Sequence, residues 1–177
     1  MNIHKLKLAG CLLVFSFCLP FTTDAYFTTN QTATRITDDT VLYTITYRFG
    51  FLNRDLYMPI VAKRGVQIEE KSPLAGFSVV DKEDVLVTNG TVNGIVLTSS
   101  KDIEIKDNQY FLPAGKVAEF TLVSLATIPR STETAGKELS LSVTHLPFVM
   151  VTPEGQRVQA RLTANELQHY RTPSILQ

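Results

Sequence analysis

A chain of 177 residues with 17 basic and 17 acidic side chains has no net charge at neutral pH. It has no field to attract a polyanion, which excludes nucleic acid as a partner class. With 44% hydrophobic residues, a domain of about 150 residues buries roughly 70% of its unfolded surface, enough for one core without disulfide staples.

The first 25 residues have the three parts of an export signal. Lys5 and Lys7 precede an apolar run over residues 8–21, and Thr23-Asp24-Ala25 places small residues around a cut before Tyr26. The run falls short of the roughly 20 residues that a membrane-spanning helix needs, so the expectation is a cleaved leader and a single domain over residues 26–177, with no stable membrane span. Leu8-Ala9-Gly10-Cys11 has the form of a bacterial lipobox, but a lipobox ends the apolar region and here residues 12–21 continue it. Cleavage after Ala25 is therefore expected rather than lipidation at Cys11, with delivery to the periplasm or the exterior. Both cysteines, Cys11 and Cys18, leave with the leader, so the mature chain has no disulfide, thiolate ligand or thiol nucleophile.

Beyond the leader, residues 26–36 are rich in threonine and poor in large apolar groups, which predicts an edge strand. Asp38-Asp39 turns the chain into residues 40–51. There Val41, Tyr43, Ile45, Tyr47, Phe49 and Phe51 alternate with Leu42, Thr44, Thr46 and Arg48, the period of a half-buried strand. Gly50 is expected to mark a bend or bulge. Residues 56–62 read as a strand, which Pro59 confines to an edge or a bulge because it donates no ladder hydrogen bond.

Short strands are expected at residues 66–68, 77–80, 85–88, 95–98 and 103–106. Asn89-Gly90 and Asn93-Gly94 fall between them, and at least one of the two is expected to close a tight hairpin. Residues 110–128 alternate through Ala118, Phe120 and Leu122, and a change of apolar phase at Leu122-Val123 predicts a bulge or burial on both faces. Further strands follow at 138–145, 148–151 and 157–162. In the last, Val158, Ala160 and Leu162 face in while Arg157, Gln159 and Arg161 face out. Thr163-Ala164-Asn165-Glu166 fits a capping box, predicting one short helix from Ala164 to about Tyr170. Eight or nine short strands mean a sandwich or a barrel.

The run Val41-Leu42-Tyr43-Thr44-Ile45-Thr46-Tyr47, with the later Leu112-Pro113-Ala114-Gly115-Lys116-Val117-Ala118-Glu119-Phe120-Thr121-Leu122, resembles the B and E strands of bacterial immunoglobulin-like domains of cell-surface proteins. The resemblance covers about 25 residues and implies an all-β, two-sheet Greek-key sandwich. It carries over no functional residue. The added length relative to such domains, including the short C-terminal helix, lies outside it.

Catalytic residue types are few. His145 and His169 lack paired-ligand spacing, and no nucleophile elbow, P-loop or dinucleotide fingerprint is present. No cofactor and no catalytic residue is assigned. Asp81, Glu83 and Asp84 are the densest carboxylate group and a Ca²⁺ candidate through hard oxygens; the plainer reading is a solvated turn. The Tyr43, Tyr47, Phe49 and Phe51 stripe could form a sugar-binding platform or, in phase with Val41 and Ile45, part of the core.

The expectation is an exported, non-catalytic structural or protein-interaction module of the cell envelope. Its contact surfaces are expected at the edge over residues 27–36 and at the Pro59 strand. A small-ligand or carbohydrate-binding module is the alternative, and a hydrolase built on two carboxylates the third reading.

Overall fold

A computed structural model describes residues 25–65, 72–101, 103–132 and 134–177. The expected leader and the strand at 66–68 lie outside the described residues. The protein is all-β, with two sheets stacked around a shared core as in a β-sandwich. The strands are β1 (Ala25–Arg35), β2 (Thr40–Gly50), β3 (Asp55–Pro59), β4 (Val61–Arg64), β5 (Ala75–Asp81), β6 (Thr91–Thr98), β7 (Glu104–Lys106), β8 (Gln109–Leu112), β9 (Ala118–Thr127), β10 (Glu138–His145), β11 (Pro147–Val151), β12 (Arg157–Arg161) and β13 (Ile175–Leu176). The large sheet runs β1-β2-β9-β6-β4-β5-β10-β13 and the small sheet β12-β11-β3-β8-β7.

The alternation read in β2 is the organising pattern of the core. Tyr43, Ile45 and Phe49 have no exposed surface and Tyr47 has 1%. Tyr47 stacks on Phe120 of β9 at 6.0 Å, its cross-strand partner. Phe49 meets Phe148 of the small sheet at 5.0 Å, and the Tyr110 hydroxyl donates to the Val96 carbonyl across the sandwich. Each such fully buried side chain contributes about 1.5–3 kcal/mol through the surface it removes from water. Gly50 ends β2 as a close backbone approach: a Cβ there would lie 2.3 Å from the Lys116 carbonyl oxygen.

The expected strand over residues 56–62 is two strands in different sheets. β3 belongs to the small sheet and β4 to the large one, so the chain changes sheets at Ile60. β3 lies between β11 and β8, an interior place rather than the expected edge or bulge. Pro59 is tolerated because the β11 ladder ends at Tyr57, leaving only the β8 side paired at Pro59. A second switch occurs at Leu146, between β10 and β11. At both switches the carbonyl is used: Ile60 accepts from Val96 N–H and Leu146 from Leu162 N–H.

Neither Asn-Gly pair closes a hairpin. Asn93-Gly94 lies inside β6, paired with β9 on one side and, at Gly94, with β4 on the other. Its glycine admits the Phe77 ring, since a Cβ at Gly94 would lie 2.5 Å from Phe77 Cε1. Gly90 precedes β6 with φ +87°. The tight two-residue turn falls instead at Asp107-Asn108 between β7 and β8, where both residues have positive φ, 52° and 58°, as a type I′ turn requires. Residues 85–88 form only a bridge, Leu86 to Val80. In β9 the burial alternates through Ala126 with unbroken registers, so no bulge forms: Ser124 points inward and Leu125 outward. In β12, Val158 is 42% exposed because this edge strand overhangs the core.

After β12 the chain makes a single helical turn, α1 (Ala164–Leu167), opened by the Thr163/Glu166 capping box and shorter than the span read from the sequence. Residues 170–177 then close the large sheet. Val143 N–H donates to the Tyr170 carbonyl and Thr172 N–H to the Leu141 carbonyl, while Gln31 and Arg35 of β1 donate to the carbonyls of His169 and Leu176. The β1 edge expected as a contact surface is thus an edge with the C-terminal segment tied across it.

Candidate functional site

Two surfaces stand out from the closed core. The first is a cleft of about 990 Å³ at the corner where the chain twice changes sheets. It begins at Pro59, Ile60 and Val61 at one switch and at His145 and Pro147 at the other, and it spreads over the outer face of the small sheet. Registers show how that face is made. Gln159 of β12 pairs with Val149 of β11, which pairs with Tyr57 of β3, which pairs with Phe111 of β8, so these side chains form one row across four strands. Arg157 and Arg161 flank the row on β12, and Asp107 and Asn108 of the type I′ turn stand opposite.

Arg157 reaches over the Tyr57 ring, 4.9 Å from its centroid, and its Nη2 donates to Asp107 Oδ2 at 3.1 Å. The Asp107 carboxylate, then the Tyr57 side chain, hold its guanidinium pKa above the ordinary value. Tyr57 is buried beneath this strap and against Phe111, 5.1 Å away. Arg161 lines the same cleft without an acceptor among the described residues; its cross-strand neighbour is Pro147.

His145 is 2% exposed. Its Nε2 lies 3.1 Å from the Ser72 carbonyl oxygen, which can only accept, so Nε2 is the donor. Nδ1 finds no partner among the described residues. Among the described residues the one acidic residue lining the cleft is Asp107, and a two-carboxylate hydrolytic site needs a second.

The second surface is the outer face of the large sheet. Val61 of β4, Ile95 and Leu97 of β6 and Leu125 of β9 are each 43% to 52% exposed. Val61 pairs with Ile95, and Ile95 with Val123, so these aliphatic groups share one face on adjoining strands.

The carboxylates Asp81, Glu83 and Asp84 lie at a turn after β5, where Asp81 and Asp84 are engaged by neighbouring donors and Glu83 takes part through its backbone N–H. Asp81 Oδ1 accepts from Glu83 N–H and Val85 N–H, both at 2.9 Å, and Oδ2 from Lys137 Nζ at 3.1 Å. Burial pushes the Asp81 carboxyl up, but the Val85, Lys137 and Glu83 donors together outweigh it and hold it below the usual carboxylate value. Asp84 pairs with Arg171, which also donates to the Asp81 carbonyl and to Ser140 Oγ. Among the described residues no group of three or more His, Cys, Asp or Glu is placed to hold a metal ion.

The aromatic stripe makes no platform, since Tyr43, Tyr47, Phe49 and Phe51 all face the core. Sequence reading assigned outward directions to Arg157, Gln159 and Arg161 but missed the cleft. Its lining residues come together only through the two sheet switches and the β7–β8 turn. No family model and no curated protein matches the chain. Among the described residues no helix is long and apolar enough to cross a membrane.

Proposed function

We propose that the chain is an exported, non-catalytic β-sandwich of the cell envelope that works by protein contact. The aliphatic surface of Val61, Ile95, Leu97 and Leu125 carries the reading. Isolated exposed aliphatic residues are ordinary, whereas a cluster in register on adjoining strands marks an interaction surface. The occupant it fits is an envelope protein that presents a flat, uncharged apolar face.

An immunoglobulin-like arrangement goes with this reading. The order β1-β2-β9-β6 supports it by placing β2 and β9 side by side, as the B and E strands lie in the A-B-E-D sheet, and β12-β11-β3 is compatible with G-F-C. The extension β4-β5-β10-β13 departs from that plan.

A photo-crosslinking residue at Leu97, in cells fractionated after export, is the test. The expected result is a discrete protein adduct in the envelope fraction that disappears when Leu125→Lys is added. Retention of the full chain in the cytoplasm, or the same adducts with and without the lysine, would overturn the reading.

The cleft favours a second reading, a small-ligand or carbohydrate-binding module, because its volume is within the range of ligand sites and its walls combine apolar side chains with a few polar groups. Burial of Tyr43, Tyr47, Phe49 and Phe51 removes the aromatic support that the sequence offered it.

A further inference from the structure

The cleft on the small sheet has two arginines in unequal states. Arg157, Gln159 and Arg161 occupy alternate positions of β12, so the Cα atoms of the two arginines are about 13 Å apart. Arg157 is neutralised by Asp107 and braced over Tyr57. Arg161 has neither an anion nor a ring among the described residues. Around it the lining is apolar at Pro59, Pro147 and Val149, and the amides of Gln109 and Gln159 add uncharged donors. Among the described residues the one lining carboxylate, Asp107, is already engaged by Arg157.

A guanidinium fork matches a carboxylate through two parallel hydrogen bonds. Apolar walls strengthen that pairing by displacing water. A single unneutralised guanidinium balances a single negative charge, which favours a carboxylate over a doubly charged phosphate.

We infer that the cleft binds a carboxylate group attached to an apolar body, with Arg161 holding the carboxylate and the prolines packing the rest. The inference rests on the ligand-binding reading of the cleft and is independent of the protein-contact face. A free organic acid and the carboxyl terminus of a peptide share this chemistry.

The test is amide-resolved NMR of the labelled mature protein titrated with four probes. They are benzoate, benzamide, a short N-acetylated apolar dipeptide with a free carboxyl terminus, and the same dipeptide amidated. The expected result is that an acid shifts the Gln109, Gln159 and Arg161 resonances while its neutral counterpart does not. Arg161→Gln should weaken that binding about tenfold or more, as loss of a charge-assisted pair does, and Arg130→Gln, outside the cleft, should leave it unchanged. Preference for benzoate or for the dipeptide acid identifies the source.

Equal shifts by acids and amides that survive Arg161→Gln would overturn carboxylate selection and leave the cleft as a binding site. Absence of cleft shifts with all four probes would overturn both the inference and the ligand-binding reading. Both arginines are exposed, so the variants are expected to fold, and unchanged amide dispersion checks it.

Discussion

Replacing Tyr47 by phenylalanine should stabilise this protein. The ring is 1% exposed and lies among Phe120 at 6.0 Å, Tyr170 at 5.6 Å and Phe49 at 6.4 Å. Its hydroxyl is buried with no hydrogen-bond partner among the described residues. Burial, reinforced by the neighbouring Tyr170 and Tyr110 phenols, pushes its pKa far above the ordinary value, so the group remains a neutral hydroxyl. A buried hydroxyl without a partner costs about 1–3 kcal/mol, and phenylalanine removes it while keeping every ring contact. The expected gain is about 1 kcal/mol or more, equivalent to a rise in Tm of about 2–4 °C per kcal/mol for a domain of this size. Urea unfolding followed by far-ultraviolet circular dichroism measures it, with an unchanged m value as the check that compactness is preserved. Tyr47→Leu is the contrast: it also deletes the hydroxyl but abandons the stacking, and should lose about 2–4 kcal/mol to the cavity. A Tyr47→Phe protein less stable than the parent by 1 kcal/mol or more would refute the reasoning, because the hydroxyl would then have a bonded partner.

Three further outcomes follow from the same core. Burial raises the Tyr43 pKa to about 12, against a smaller opposing pull from Arg35; a raised folded pKa gives stability that is whole below about pH 10 and falls as pH rises through the folded value. Tyr43→Phe should remove about 2–3 kcal/mol of that alkaline loss, measured as the difference between unfolding free energies at the two ends of the window. Asp81 has the opposite sign: its depressed carboxyl contributes stability above the ordinary carboxylate value, about 3.9, that disappears as pH falls through the lower folded value. The urea midpoint of Asp81→Asn should be lower at neutral pH and flatter below pH 4, and an unchanged acid limb would count against the hydrogen-bond account. Gly94→Ala drives a methyl into the fully buried Phe77 ring and should cost about 1–3 kcal/mol; a neutral effect on Tm would show that the ring has room to move.

The parts of the fold visible in the sequence were those set by local periodicity. The β2 stripe announced its buried face because alternating Val41, Tyr43, Ile45, Tyr47 and Phe49 admits one orientation on a pleated strand. The capping box at Thr163 and Glu166 was equally plain, since both partners sit three residues apart. What failed depended on distant neighbours. Asn93-Gly94 has the composition of a turn, yet its glycine makes room for Phe77 on β5. The apolar step at Leu122-Val123 looked like a change of phase because Leu125 is large, yet β9 keeps its phase and turns Leu125 outward. Pro59 ruled out a paired amide but not an interior strand, because one ladder ends before reaching it. The cleft was least visible: Arg161, His145 and Asp107 meet through two sheet switches and a turn, and no local pattern encodes that meeting.

The closure of the large sheet by residues 170–177 bears on how the chain can fold. Gln31 bonds across 138 positions to His169 and Arg35 across 141 to Leu176. Contacts of such separation require large loop closures before they stabilise anything, which places the domain among slow, millisecond-to-second folders. Until residues 169–176 are available, β1 is an open edge beside an incomplete core, the kind of surface that templates aggregation. A chain that emerges N-terminus first therefore exposes this edge before the segment that covers it arrives. Refolding rate and yield, more than final stability, are where damage to the Gln31 and Arg35 ties should first be felt.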